Sequence, residues 1–168
     1  WSTGYQCIGI LQAALTALLL LSLPLWKQDG QRPEEKAAPL SLRQILAISG
    51  AKPLLLAFFC YCALEQTMGL WAGSYLALYR GFTPEQAAGF AGLFVLGITL
   101  GRALNGFLTM RFSDSFLTRA GFVIITLGIA AVLAPWGDTT ALAGLVLVGL
   151  GCAPVYPCII HSTPGNFG

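Results

Sequence analysis

Apolar residues fall into five long blocks divided by short polar breaks, and each block approaches the roughly 20 residues a helix needs to cross a bilayer's hydrocarbon core. The first runs from Tyr5 to Trp26, with aromatic ends of the kind that settle at membrane interfaces. The polar stretch from Lys27 to Lys52 follows, charged and interrupted by Pro33 and Pro39, and it predicts a linker. Within it, Ser41–Ser49 reads as a short amphipathic surface helix begun by Ser41. The second block, Pro53 to Tyr79, places a proline in its first turn, where the missing N–H costs nothing. Thr83 and Pro84 suit an N-cap and a first helical position, so a third helix is predicted from Pro84 to Met110. The fourth block covers 117–135 and is broken by Pro135, Trp136, Gly137 and Asp138, and the fifth runs from Thr140 to Ile160.

The pattern therefore predicts an all-α fold, a polytopic transmembrane helix bundle. Composition agrees: 56% of residues are hydrophobic and 10% charged, whereas a soluble domain is about a quarter charged. The lipid bilayer is thus the first expected partner. A formal net charge of +2 with no continuous basic stripe excludes a nucleic-acid partner. Cys7, Cys60, Cys62, Cys152 and Cys158 sit in apolar segments without metal-type spacing, which predicts small hydrophobes rather than a disulfide or a zinc site. No serine-hydrolase elbow, zinc-protease helix or phosphate-binding loop is present, and the single histidine argues against metal chemistry, so neither catalysis nor a cofactor is expected. Trp1 in place of Met, the lack of a signal-peptide pattern and the loop-like run Pro164 to Gly168 lead us to expect an internal piece of a longer chain.

Charge in the breaks predicts sidedness. The linker holds Lys27, Arg32, Lys36, Arg43 and Lys52, and the 111–119 loop holds Arg111 and Arg119. The 80–85 turn has Arg80 alone, and the 136–139 turn has no basic residue. Basic loops stay in the cytoplasm, so the 27–52 and 111–119 segments are expected there, in a multi-pass protein of the cell membrane.

Polar residues inside the blocks are the candidate chemistry. Glu65 and Gln66 lie near the middle of the second block, where an acidic side chain costs about 2.5–3.5 kcal/mol even on the gentler insertion scale. Either Glu65 glues helices together or it serves a substrate or a coupling proton beside a wet cavity. Trp71 and Tyr75, nearer the outer end, fit a substrate wall and an interface belt equally. Arg102 in the third block leans outward while Glu65 on its antiparallel neighbour leans inward, which suggests an intramembrane pair with Asn105 one turn on. Alternatively, Arg102 snorkels to the inner surface or meets Asp114. The glycines 89, 92, 97, 101 and 106 point to close helix packing, with Gly97 and Gly101 as a small-xxx-small step. Gly144, Gly149, Gly151, Pro154 and Pro157 make a straight fifth helix improbable, so a kink at Gly151, Pro154 and Pro157 is expected. His161, near the predicted inner end, reads as a solvated end-cap or as a group titrating near neutral pH.

Gly106, Leu108 and Arg111 resemble the second copy of the loop signature of the major facilitator superfamily, with Met110 where that signature has Asp and Ser113 where it has Gly. The runs Cys60 to Gln66 and Gly149 to Pro157 resemble its fucose-permease-type branch. The resemblance implies that the five helices are numbers six to ten of twelve. Residues 1–26 would be the last helix of the N-terminal half, 27–52 the linker, and 53–168 the first four helices of the C-terminal half. It further implies that Glu65, Gln66 and Tyr75, with the Pro154–Pro157 segment, border a central cavity, while the branch's proton-coupling carboxylates belong to the half not represented here. The expected function is alternating-access transport of a small polar solute, with a sugar the leading substrate class. The rival is a non-transporting polytopic protein, a sensor or assembly subunit, in which Glu65 and Arg102 only hold helices together.

Overall fold

A computed structural model describes residues 2–26 and 41–167, with side chains as far as Thr163. Most of the expected linker, residues 27–40, lies outside the described residues. Every element among those described is helical: α1 (Ser2–Ser22) with a 3₁₀ turn (Leu23–Trp26), α2 (Leu42–Ala47), α3 (Ala51–Tyr79), α4 (Pro84–Leu108), α5 (Asp114–Leu133) and α6 (Asp138–Phe167). Among the described residues, five stretches are long and apolar enough to cross a membrane, and each overlaps one of the five apolar blocks. The chain divides into two units, one ending at Ser41 and one beginning at Leu42.

The first unit is α1 and its terminal turn. The hydroxyls of Thr16 and Ser22 donate to the carbonyls of Gln12 and Leu19, each at 2.8 Å, so these polar groups are satisfied within the helix. The second unit holds α2 to α6. α6 lies between α4 and α5, and α3 packs chiefly on α4 with a narrower contact on α6. Within this unit α3 to α6 alternate in direction, which leaves two ends: one where Arg80 meets Val132, the other where Asp114 meets His161.

Local sequence sets the helix ends. Thr83 Oγ1 accepts from Gln86 N at 3.3 Å and Gln86 Oε1 accepts from Thr83 N at 3.2 Å, a reciprocal cap on α4 with Pro84 behind it. Ser113 Oγ accepts from Phe116 N at 3.4 Å, so α5 starts at Asp114, three residues earlier than the apolar block implied. Gly81 and Gly137, with φ of 72° and 106°, form the turns after α3 and α5 in a region that glycine enters without strain.

Glycines bring α6 to its neighbours at backbone distance. A Cβ on Gly97 would collide with the carbonyl of Val146, and one on Gly149 with that of Phe94. On the α5 side, Cβ atoms on Gly121 and Gly151 would each lie 2.7 Å from the other residue's carbonyl oxygen, and one on Gly144 would lie 2.8 Å from Gly128 O. Such approaches form the small-residue interface typical of membrane helices. Gly97 and Gly101 therefore pack as the small-xxx-small step predicts. Gly89, Gly92 and Gly106 do not, since nothing lies within 4 Å of a Cβ on any of them. The glycines of α6 serve close packing, and the helix continues through Pro154 and Pro157. Leu76, Leu145, Val148 and Val155 complete the buried core.

Candidate functional site

Polar chemistry in the second unit gathers at three levels. At the middle, Arg102 Nη2 of α4 stands 3.9 Å from Glu65 Oε1 of α3. Glu65 has 27% of its side chain exposed and Arg102 has 58%, so the carboxylate is the enclosed partner. Tyr61, one turn before Glu65, is buried at 3% exposure, and its hydroxyl, beside that carboxylate, makes no hydrogen bond of ordinary geometry among the described residues. Fully buried Cys152 of α6 belongs to the same buried cluster as Tyr61. Rings join the helices below: Phe58 meets Tyr156 with centroids 5.7 Å apart. A carboxylate and a guanidinium thus face each other across α3 and α4, with a buried phenol and a buried thiol in the same core.

At the Arg80 end, the guanidinium closes α5. Arg80 Nη2 donates to the carbonyls of Val132 and Ala134, both at 2.7 Å, and Nε donates to Tyr75 Oη at 3.2 Å. Tyr75 Oη itself donates to Val132 O at 2.9 Å. A cation at a helix C-terminus satisfies carbonyls that have no partner within the helix and meets the negative end of its dipole. Beneath lies an apolar groove walled by Met68, Trp71, Tyr75, Ile129 and Leu145.

At the Asp114 end, His161 Nδ1 of α6 lies 2.6 Å from Asp114 Oδ2 of α5. Asn105 of α4 is buried there at 6% exposure and lines a cavity with Thr109, Pro157 and Cys158.

These placements separate residues that the sequence grouped together. Glu65 and Arg102 are brought within ion-pair reach, and Asp114 takes His161 rather than Arg102 as its partner. Asn105 lines the cavity at the helix end rather than joining the pair. Gln66 is exposed, and Trp71 and Tyr75 line the apolar groove, so the four expected substrate residues do not converge on one pocket of this unit. Gly106 and Leu108 belong to the last turn of α4, and only Arg111 lies in the connecting turn. Gly151 is buried against α5, and Pro154 and Pro157 sit half-buried within α6. Sequence reasoning missed Arg80, which counted only as a loop charge, and the pairing of Asp114 with His161.

Five apolar helices long enough to cross a bilayer, three of them packed through small residues, define a multi-pass membrane protein. Comparison with known proteins carries this further: the family model of the Major Facilitator Superfamily matches residues 2–168, and the chain belongs to that family. It is similar to an uncharacterized MFS-type transporter of Yersinia pestis, 28% identical over 116 residues, covering 67% of this chain and 30% of the relative. The matched part thus spans under a third of that relative's length. No solved structure matches the chain.

Proposed function

We propose that this chain is the central part of a secondary transporter that moves a small polar solute, a sugar by preference, through alternating access. On this reading α1 and α3 to α6 are helices six to ten of twelve, the 27–52 and 111–119 segments lie in the cytoplasm, and two half-bundles rock about a midplane site. Residues 1–26 close the first half, and 53–168 open the second. One observation carries the proposal: a carboxylate midway along a 29-residue apolar helix, opposite an arginine on the next helix. Ionisable groups at that depth are costly and mark solute or ion pathways. Glu65 and Gln66 are the proposed solute contacts, and Glu65 is the candidate carrier of a coupling proton. Arg102 holds the carboxylate until solute arrives.

The test is uptake of labelled monosaccharides by the complete protein in liposomes. Glu65→Gln and Arg102→Gln are each expected to lower uptake by about tenfold or more, the scale of losing one charged contact of ~1.5–3 kcal/mol, with unchanged elution on size exclusion. The charge-swapped double variant should recover part of that loss. Uptake unaltered by Glu65→Gln and Gln66→Ala would assign the pair to helix adhesion, as in a non-transporting polytopic protein.

A further inference from the structure

The phenol beside the Glu65–Arg102 pair has no role in the solute path described above. Tyr61 belongs to the core cluster with Leu76, Phe94 and Cys152, and the ring of Phe58, three residues earlier, is tilted at 36° to its own with centroids 6.4 Å apart. Phenylalanine would serve that packing equally, so the hydroxyl needs a separate reason.

That hydroxyl is shielded so fully that no water fits against it, and it makes no hydrogen bond of ordinary geometry among the described residues. Buried polar atoms are almost always partnered. With water kept out, the partner is a protein group already against the phenol, and helix geometry supplies one. Glu65 follows Tyr61 by four residues on the same face of α3, and helical side chains lean toward the N-terminus, so the carboxylate reaches back over the phenol. Its oxygens have capacity to spare. Arg102 Nη2 stands 3.9 Å from Oε1, beyond hydrogen-bond length, so charge alone joins those two groups. Exposure falls from Arg102 through Glu65 to Tyr61, which puts the carboxylate between a wet cation and a dry donor.

We propose that Tyr61 is the positioning residue of Glu65: its O–H donates to one carboxylate oxygen when the carboxylate leaves Arg102, and so aims the other oxygen at the solute. This role rests on the reading that Arg102 holds the carboxylate until solute arrives. No proton is transferred, and Tyr61 remains a phenol throughout. Closing the bond takes a turn of the carboxyl group about its last torsion, whose energy profile is broad. A carboxylate accepts at about four sites, so the phenol and a solute hydroxyl can share it. Exchange between an exposed cation and a buried donor keeps the anion partnered at each stage, as its depth in an apolar helix demands.

Two measurements separate this role from transport itself. In the first, infrared spectra of the complete protein in detergent, with tyrosine labelled by carbon-13 at Cζ, follow the phenol C–O stretch, which moves when the hydroxyl donates. One tyrosine band is expected to shift to the donating position in Arg102→Gln and to return when Glu65→Leu is added. Spectra without that shift, or a shift that survives the loss of Glu65, would overturn the proposal. In the second, Tyr61→Phe is assayed for uptake of labelled monosaccharides in liposomes. The half-saturating concentration should rise about tenfold, the scale of one hydrogen bond to a charged group, with the maximal rate held within about twofold. A lower maximal rate at unchanged half-saturation would make the phenol a packing group and refute the role. A parent protein that takes up no monosaccharide yet shows the infrared shift would remove the sugar and support the phenol's hold on Glu65. The infrared measurement leaves Tyr61 in place, so it decides the matter if Tyr61→Phe does not fold.

Discussion

In the most apolar stretch of α6, 56% of the residues are buried, while in that of α3 the figure is 6%, although the helices have 30 and 29 residues. Both are apolar along most of their length. They differ in how small residues are used: Gly144, Gly149 and Gly151 each stand where a Cβ would strike a neighbouring backbone, whereas Gly69 of α3 has nothing within 4 Å of a Cβ. The same contrast holds for polar groups. α3 carries Glu65, Gln66 and Thr67 in succession, and between Ala141 and Ile160 α6 has no charged residue. One helix supplies cohesion, and the other presents chemistry. Apolar length predicts that a helix crosses a membrane, and the spacing of small and charged residues tells what it does there.

The sharpest way to break this comparison is to add bulk to each helix in turn. Gly149→Leu must push α4 and α6 apart at their backbones, and a loss of about 3 kcal/mol or more is expected. Gly69→Leu should stay within about 0.5 kcal/mol of the parent, as substitutions away from packed features do. Denaturant unfolding of the complete protein in micelles measures both, and equal losses would erase the distinction. A smaller effect is expected where α3 does bind strongly, at its Arg80 end. Arg80→Ala leaves the carbonyls of Val132 and Ala134 without their guanidinium and should cost about 2 kcal/mol. Tyr75→Phe removes one neutral hydrogen bond and should cost about 1 kcal/mol. Because Arg80 also bonds Tyr75, the double variant should lose less than the sum. Strict additivity would show that the two act apart.

The contrast also explains which parts of the fold are legible in the sequence by itself. The five spans follow from bilayer thickness, and the start of α4 follows from Thr83, Pro84 and Gln86, whose hydrogen bonds close within one turn of chain. Even the choice among the α4 glycines was present in principle. At 3.6 residues per turn, Gly92 and Gly106 lie about 140° and 180° around the helix from Gly97, so they cannot share its face. Arg80 and Val132 are 52 residues apart, and Asp114 and His161 are 47. Those contacts arise from the order in which helices pack, which no local spacing encodes. Glu65 and Arg102 were legible as a pair because antiparallel neighbours with opposed side-chain lean restrict which depths can meet. Asn105, three residues beyond Arg102, turns to another face.

The glycine seams have a mechanical consequence. Helices separated by long side chains can slide, because rotamers absorb small shifts; α4, α5 and α6 touch through carbonyls and bare α-carbons, which have no torsion to yield. A tilt imposed near Asp114 must therefore reach the Arg80 end undiminished, with the trio behaving as one lever and α3, less firmly seated, as the joint on which it turns.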